Sequence, residues 1–518
     1  MNRRRVRIIM NEDVYDVMVA GAGPSGSAAA ISLAQRGWKV LLLDKARFPR
    51  DKVCGDFLSP RSLQVLEILD CKSAVEQACP NRLSAASLYL NGEQLTSGEI
   101  PQVGDFPSYG YTLPRLTFDE ILFRQAQASG VETIESCEVK GLTTEADSVA
   151  LHARHNRKSY SFHGKLVIGA DGAYSAVGRA LGMDNRDSKS IIIALRAYYD
   201  GVDGDPSCAG IFFDKSYFPG YAWIFPLGEG RANVGMAILM DVYQRYQLNL
   251  RKYFTDWVEN DPIARRWLGG AQLDGRIVGW PLNTYRTISG NYAERVLLVG
   301  DAASFVNPFT GEGIRTALES ARLAATVADE ALRASNFSMA FLSRYEQRWR
   351  TALDLDLRTA DLFVTIIKNR SLVGIWLLIL KMIGQKALSD RNYAATCGGI
   401  LSGVVPTYRS LSPDIVIKTL LHGPGFWQRT LKLSLDQGLL GLINLGLMTT
   451  SGARDALCEM ARQPTLTIEW GLDVASKGLR VLTGLSLEYL HYLIRWLFKM
   501  AIRRFIPVSA GQGATTRK

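Results

Sequence analysis

Residues 17–45 read VMVAGAGPSGSAAAISLAQRGWKVLLLDK, and this stretch decides the fold. Its pattern predicts an apolar strand over 17–20, a Gly-rich turn, a helix of small residues and a second apolar strand ending at Asp44. The turn, Gly21-Ala22-Gly23-Pro24-Ser25-Gly26, is a GxGxxG dinucleotide fingerprint inside a complete βαβ unit. Gly21 permits the tight turn, Gly23 lets a pyrophosphate approach the backbone, and Gly26 lets the helix lie close on the strand. Pro24 and Ser25 open the helix, whose free N–H groups and partial positive charge suit phosphate. Asp44, with Lys45 beside it, is placed to meet the hydroxyls of an adenosine ribose. The fingerprint alone does not separate FAD from NAD.

A chain of 518 residues predicts two or three domains, and its composition is that of an ordinary globular protein. Seven cysteines without a CxxC pair fit a reducing, cytoplasmic compartment and argue against a disulfide framework or a metal site. The basic N-terminus is too short in apolar residues for a secretory signal. Residues 335–518 hold 23 Lys and Arg against 12 Asp and Glu, so the whole net charge of +10 lies in the last third. That region is also strongly apolar and carries no nucleic-acid motif. An anionic membrane surface is therefore the better reading of its charge than nucleic acid.

Further along, 83–113 reads as short strands, 116–129 as a helix, and 149–151, 159–162 and 166–170 as strands. Residues 191–239 alternate as in a sheet, 248–267 and 313–334 read as helices, and 295–299 as another strand. From 335 to 505 the pattern is almost wholly helical. The expected class is α/β: a Rossmann-like FAD-binding domain (12–190, with a strand insertion near 83–113, returning at 286–345), interleaved with a mixed β-sheet substrate domain (191–285). A helical C-terminal extension (346–518) completes it.

The second strong motif is Arg295-Val296-Leu297-Leu298-Val299-Gly300-Asp301-Ala302-Ala303, followed by Pro308-Phe309-Thr310-Gly311-Glu312-Gly313-Ile314. It resembles the element by which flavoproteins of the aromatic-hydroxylase type hold FAD. The resemblance implies that Asp301 bonds the ribityl chain. It also implies that Gly300, Pro308, Gly311, Gly313 and Ile314 carry the backbone and helix N-terminus to the flavin, where negative charge collects on reduction. Read alone, Asp301 also fits a plain helix cap. Asp171, in Gly169-Ala170-Asp171-Gly172, resembles the same class's second nucleotide motif, and Arg115 the arginine that class places against FAD.

Two more stretches narrow the resemblance: Lys52-Val53-Cys54-Gly55-Asp56, and Tyr221-Ala222-Trp223-Ile224-Phe225-Pro226. With the motifs above they are similar to the geranylgeranyl reductase family over about 12–345. The resemblance implies a flavin-side loop containing Lys52, Cys54 and Gly55, and a lipophilic substrate held by Tyr221, Trp223 and Phe225. Cys54, Tyr221 and Trp223 become the candidates at the reacting centre. The three aromatic residues alternate, so on a strand they share one face; they equally fit sheet core, and Cys54 a small buried hydrophobe. The implied reaction is reduction of a C=C bond by FAD, with NAD(P)H or another electron donor behind it. None of the five histidines lies in a flavin motif, and the sequence offers no clear general acid.

The alternative is a flavin-dependent monooxygenase or halogenase-type tailoring enzyme acting on a hydrophobic product. Gly55-Asp56-Phe57 replaces the halogenase Gly-Glu-Ser, Tyr221 and Phe225 replace two residues of its aromatic motif, and Lys72 is only a loose counterpart of its lysine. A flavin-bearing membrane-interaction protein without turnover is the third reading. In the tail, 485–505 forms a basic amphipathic pattern, and 372–383 is apolar over about twelve residues, short of a bilayer span. Peripheral membrane association is the expectation.

Overall fold

The structure, a computed structural model, describes residues 14–79, 81–183, 190–286, 291–419 and 464–505, with His422 and Met460 as single positions, and side chains as far as 485. Tyr15–Ala20 runs at the centre of an eight-stranded sheet, parallel to Val40–Leu43 on one side and to Lys158–Gly169 on the other. Val17, Met18, Val19 and Ala20 are all fully buried, as expected for a strand covered on both faces. Val296–Leu298 adds in parallel beyond Lys158–Gly169, and Glu132–Ile134 beyond Val40–Leu43. The helix Pro24–Ala34 leaves this central strand with Pro in its first turn, and its small side chains are buried. That slimness lets it fit beneath the 20-residue helix Ile314–Arg333.

A second sheet of seven strands runs in the order Gln272–Asn283, Ile191–Asp200, Arg231–Leu239, Tyr221–Gly228, Cys208–Phe213, Ala85–Leu90, Glu93–Glu99. Strands from before the βαβ return therefore belong to this sheet: Ala85–Leu90 pairs in parallel with Cys208–Phe213. A third sheet has three strands, in the order Phe57–Leu58, Gly110–Thr112, Arg82–Leu83.

Two sequence expectations change. The helix anticipated over 248–267 is two helices, Leu250–Asn260 and Pro262–Leu268. Pro262 lacks the N–H needed to continue, and the Asp261 carboxylate accepts the N–H groups of Ile263 and Ala264 to start the second helix. The strand anticipated at 166–170 is the end of a twelve-residue strand, Lys158–Gly169, whose outer half forms an exposed hairpin carrying His152, His155 and His163.

The described tail is helical: Met339–Trp349, Leu355–Ile367, Val373–Ser389, Arg391–Leu401 and Pro464–Phe505. Leu355–Ile367 lies between the second sheet and the long last helix. Its Phe363 ring meets Phe309 edge-on at 5.9 Å, and its Val364 joins the apolar cluster around Tyr221, Trp223 and Phe225. On its other side Asp361 receives Lys477 at 2.9 Å, Lys368 meets Asp473 at 3.0 Å, and the Thr365 carbonyl accepts the Trp470 indole N–H at 2.8 Å. The apolar run at 372–383 extends further than its composition suggested. The helical stretch Arg370–Ser389, 20 residues, is long and apolar enough by length and composition to cross a membrane. Part of its surface packs on the second sheet, where Leu377 meets Leu90 and Phe218. The side chains beyond 485, and with them most of the amphipathic pattern read at 485–505, lie outside the described residues.

Candidate flavin and substrate site

The phosphate turn has the geometry its glycines require. Gly21 adopts φ +95°, and a Cβ there would stand 2.4 Å from the Ala170 carbonyl oxygen. At Gly26 it would stand 1.7 Å from the Gly21 oxygen. At Gly23 it would meet only the tip of the Arg50 guanidinium, at 3.4 Å. Two glycines thus close the turn and the third leaves it open, a cradle of the shape a pyrophosphate needs. Pro24 and Ser25 are buried in the first turn of the helix.

Asp44 ends its strand with both oxygens on backbone: Oδ2 accepts the Ala22 N–H at 2.8 Å and Oδ1 the Ala46 N–H at 2.7 Å. It therefore fixes the turn from behind, with one lone pair on each oxygen left for a ribose. Lys45 beside it is exposed. Asp171 is engaged in the same way. It accepts from the Ser175 hydroxyl and from the N–H groups of Ala176 and Val177, capping the short helix Ala176–Ala180.

The second flavin motif closes over the first. Gly300-Asp301-Ala302-Ala303 forms a 3₁₀ turn, and a Cβ on Gly300 would lie 2.7 Å from the Ser25 hydroxyl. Asp301 receives Lys52 Nζ at 2.9 Å. The loop holding Pro308 and Gly311 leads to Gly313 and Ile314, where the 20-residue helix begins without a side-chain cap. Its first N–H groups are thus available to an anionic ring edge.

Arg115 is almost fully buried and makes a bidentate pair with Asp119, 2.6 and 2.8 Å. Arg50 shares the same carboxylate at 2.7 Å. Nothing in its local pattern separates it from a surface arginine, yet its guanidinium reaches from Asp119 toward the open glycine of the phosphate turn.

The loop Cys54–Asp56 packs directly on the aromatic strand. A Cβ on Gly55 would lie 3.4 Å from the Phe225 ring and 3.7 Å from the Trp223 indole nitrogen. Tyr221, Trp223 and Phe225 share one face, with ring centroids 5.9 and 6.0 Å apart, and Phe213 and Phe57 extend the row at either end. Tyr221 donates its hydroxyl to the Thr310 carbonyl at 2.8 Å and so ties this strand to the flavin loop. Trp223 is the most deeply held of the three. Its ring lies over Gly235, where a Cβ would come within 2.1 Å, and its indole N–H donates to Asn233 Oδ1 at 2.9 Å. Tyr221 and Phe225 are half-buried.

Asn233 then turns to the loop. Its Nδ2 donates to the Cys54 carbonyl at 2.8 Å and to Asp56 Oδ2 at 2.7 Å. The same Asp56 oxygen accepts the Tyr198 hydroxyl at 2.6 Å, while Asp56 Oδ1 is buried with no hydrogen-bond partner. Asp56 is completely buried at φ +62°, and burial pushes its carboxyl up to about 6 against the pull of Tyr198, Asn233 and Arg196. Burial likewise lifts the Cys54 thiol above its ordinary value. Arg115 opposes that shift and Asp56 adds to it. Cys54 is therefore a thiol at neutral pH and not a thiolate nucleophile. Asp56 stands in the loop motif, but nothing in its sequence neighbourhood reveals its burial.

Lys72, the loose halogenase-type candidate, sits at the start of the helix Lys72–Ala78 and pairs with Glu67 at 3.2 Å. Among the described residues no group of His, Cys, Asp and Glu could hold a metal. The open cradle at Gly23 and the uncapped helix behind Gly313 fit FAD.

Comparison with known proteins agrees with this geometry. An FAD binding domain model matches residues 14–201, and a geranylgeranyl reductase catalytic domain model matches 190–268. The chain is 35% identical to digeranylgeranylglycerophospholipid reductase 1 of Methanococcoides burtonii over 65% of its own length and 80% of that protein. It is 33% identical to menaquinone reductase of Mycobacterium tuberculosis over 67% of its length and 84% of that protein. Among solved structures, a geranylgeranyl bacteriochlorophyll reductase-like protein from Thermoplasma acidophilum superposes with TM-score 0.62 at 28% identity, covering 79% of this chain and 96% of that one. A flavin-dependent brominase superposes with TM-score 0.63 at 19% identity, covering 81% and 100%, a likeness of fold alone. The chain belongs to the geranylgeranyl reductase family of FAD-dependent oxidoreductases.

Proposed function

We propose that this enzyme reduces C=C bonds in the isoprenoid chain of a lipophilic substrate, a polyprenyl or geranylgeranyl lipid. The observation that carries the reading is the row Phe213, Tyr221, Trp223, Phe225, Phe57 lying directly against the Cys54–Gly55 loop. An apolar chain needs such a wall, and an isolated alkene needs to be held in a dry, shaped place because it is a poor electrophile. Reduced FAD, when bound, supplies the hydride equivalent. Gly21, Gly23, Pro24, Ser25, Gly26 and Arg50 would bind its pyrophosphate, Asp44, Lys45, Asp171 and Arg115 its adenosine side and surroundings, and Lys52, Gly300, Asp301, Pro308, Gly311, Gly313 and Ile314 its ribityl and ring end. Tyr221 and Phe225 orient the chain, Trp223 fixes the wall, and the Cys54 thiol holds the proton that the second alkene carbon receives.

NAD(P)H or another reductant is proposed as electron donor. Peripheral association of a cytoplasmic enzyme with a membrane surface is supported by the tail. On its last helix Ile468, Leu472, Leu479 and Leu482 recur at helical spacing with 62–66% of their surface exposed. The names of the relatives, one acting on a phospholipid and one on a menaquinone, support an isoprenoid lipid without choosing between these heads.

The test is anaerobic. Photoreduced holoprotein mixed with a polyprenyl lipid should regain its oxidised flavin spectrum without oxygen. Reoxidation only in air, with an oxygen adduct that depends on the lipid, would instead support the monooxygenase reading.

A further inference from the structure

Among the described residues, Asp56 is an unusual titratable group that the reaction above leaves unused. It is fully buried, its backbone is in the left-handed region at φ +62°, and it belongs to the loop that carries Cys54. Its two oxygens differ. Oδ2 is saturated by two donors, Tyr198 and Asn233, whereas Oδ1 is buried with none. An ionised carboxylate with a bare buried oxygen is costly, and a proton on that oxygen relieves most of the cost. The neighbouring cations are already engaged: Arg115 with Asp119, and Arg196 with Asp51. Asp56 and Cys54 stand two residues apart on this loop, and the carboxylate is among the charged groups that bear on the thiol.

We propose that Asp56 is the proton store of the site: it keeps Cys54 in the thiol form and returns the proton that Cys54 gives to the substrate. The direction of transfer rests on the reductive reading above. The Cys54 proton would go to the alkene carbon next to the one that reduced FAD, when bound, would supply with hydride. The resulting thiolate takes the Asp56 proton, and a proton taken up from solvent restores the carboxyl between turnovers. Asp56 does not touch substrate, since no part of it is exposed; it is a positioning residue that acts through Cys54. The groups that set its charge are Tyr198 and Arg196 on one strand, Asn233 on the next, Arg115 on the helix behind, and Cys54 itself. Burial and these partners put its titration near pH 6, within reach of a cycle at neutral pH.

The test uses the flavin-loaded protein without substrate, so its outcome is separable from whether any lipid is reduced. Alkylation of Cys54 is followed peptide by peptide against pH. In the wild type the rate should rise with pH but slacken across about pH 6, as the Asp56 carboxylate forms and disfavours the thiolate. In Asp56→Asn, whose amide oxygen can still accept from Tyr198 and Asn233, that break should vanish and Cys54 should alkylate several-fold faster at pH 8. An infrared carboxyl band present at pH 5, lost near pH 6 and missing from the variant would assign the proton to Asp56. Equal rates in the two proteins, or a wild-type profile with no break, overturn the proposal. Should the variant not fold, the wild-type profile decides alone.

Discussion

Lys52 and Asp301, 249 positions apart in sequence, meet as an ion pair at 2.9 Å. The pair joins the loop that carries Cys54 to the strand end that carries the second flavin motif. Both groups keep modest solvent contact, 26% and 12%, so the pair alone adds little stability. In the proposed flavin site this pair would set the charge met by the bound cofactor. Removing Lys52 leaves the Asp301 carboxylate uncompensated where FAD brings further negative charge. Lys52→Met should weaken FAD binding about tenfold, roughly 1.4 kcal/mol, with little change in apoprotein melting, as read by fluorescence titration of apoprotein with FAD.

The phosphate turn offers a contrast between two glycines. A methyl at Gly26 would collide with the Gly21 carbonyl, and one at Gly23 would touch only the movable end of Arg50. Gly26→Ala should therefore destabilise the apoprotein by at least about 1–3 kcal/mol. Gly23→Ala should melt like the wild type yet fail to retain flavin. Melting curves of the two apoproteins, set beside their flavin content after reconstitution, check both halves.

Asp56 also makes stability depend on pH. An acid whose folded value is raised, here from 3.8 to about 6, holds its proton more tightly folded than unfolded. Its contribution is fully present below about pH 4 and is lost as pH climbs through 6, a loss of up to about 3 kcal/mol. Relative to Asp56→Asn, the wild type should lose melting temperature between pH 4 and 7. Parallel melting curves for the two proteins across that range would contradict this.

Much of the flavin fold was legible because it is local. The βαβ unit, the Gly300-Asp301 turn and the helix behind Gly313 are each contiguous, and each has one backbone geometry that its glycines permit. The alternation of Tyr221, Trp223 and Phe225 likewise fixed their common face. What sequence did not reveal depends on partners far away. Asp56 is read as an acid only once Asn233 and Tyr198 are seen to share one oxygen and leave the other bare. Arg50 becomes notable only beside Asp119 and Gly23. Ala85–Leu90 looked like an insertion in the first domain, and its parallel pairing with Cys208–Phe213 has no local signature.

Asn233 is the hub between wall and loop. Asn233→Ala removes the acceptor of the buried Trp223 indole N–H and one of the two donors on Asp56. Unsatisfied buried polar groups cost about 1–3 kcal/mol each, so a loss of several kcal/mol is expected in denaturant unfolding. Tyr221→Phe loses only the hydroxyl bond to Thr310. It should keep its stability within about 1.5 kcal/mol and show its defect in turnover.

The exposed stripe on the last helix gives a test of membrane association. Leu472→Ser with Leu479→Ser should reduce sedimentation with anionic vesicles while leaving flavin content unchanged. Both side chains are about two-thirds exposed and contribute little to the core.

The most direct measurement of the central claim is the mass of the lipid. Photoreduced, flavin-loaded protein is incubated without oxygen with a geranylgeranyl phospholipid and, separately, with a menaquinone, and the recovered lipids are weighed by mass spectrometry. At least one of them should gain hydrogen in pairs. Lipids unchanged without oxygen, but gaining oxygen or halogen in aerated samples, would contradict it.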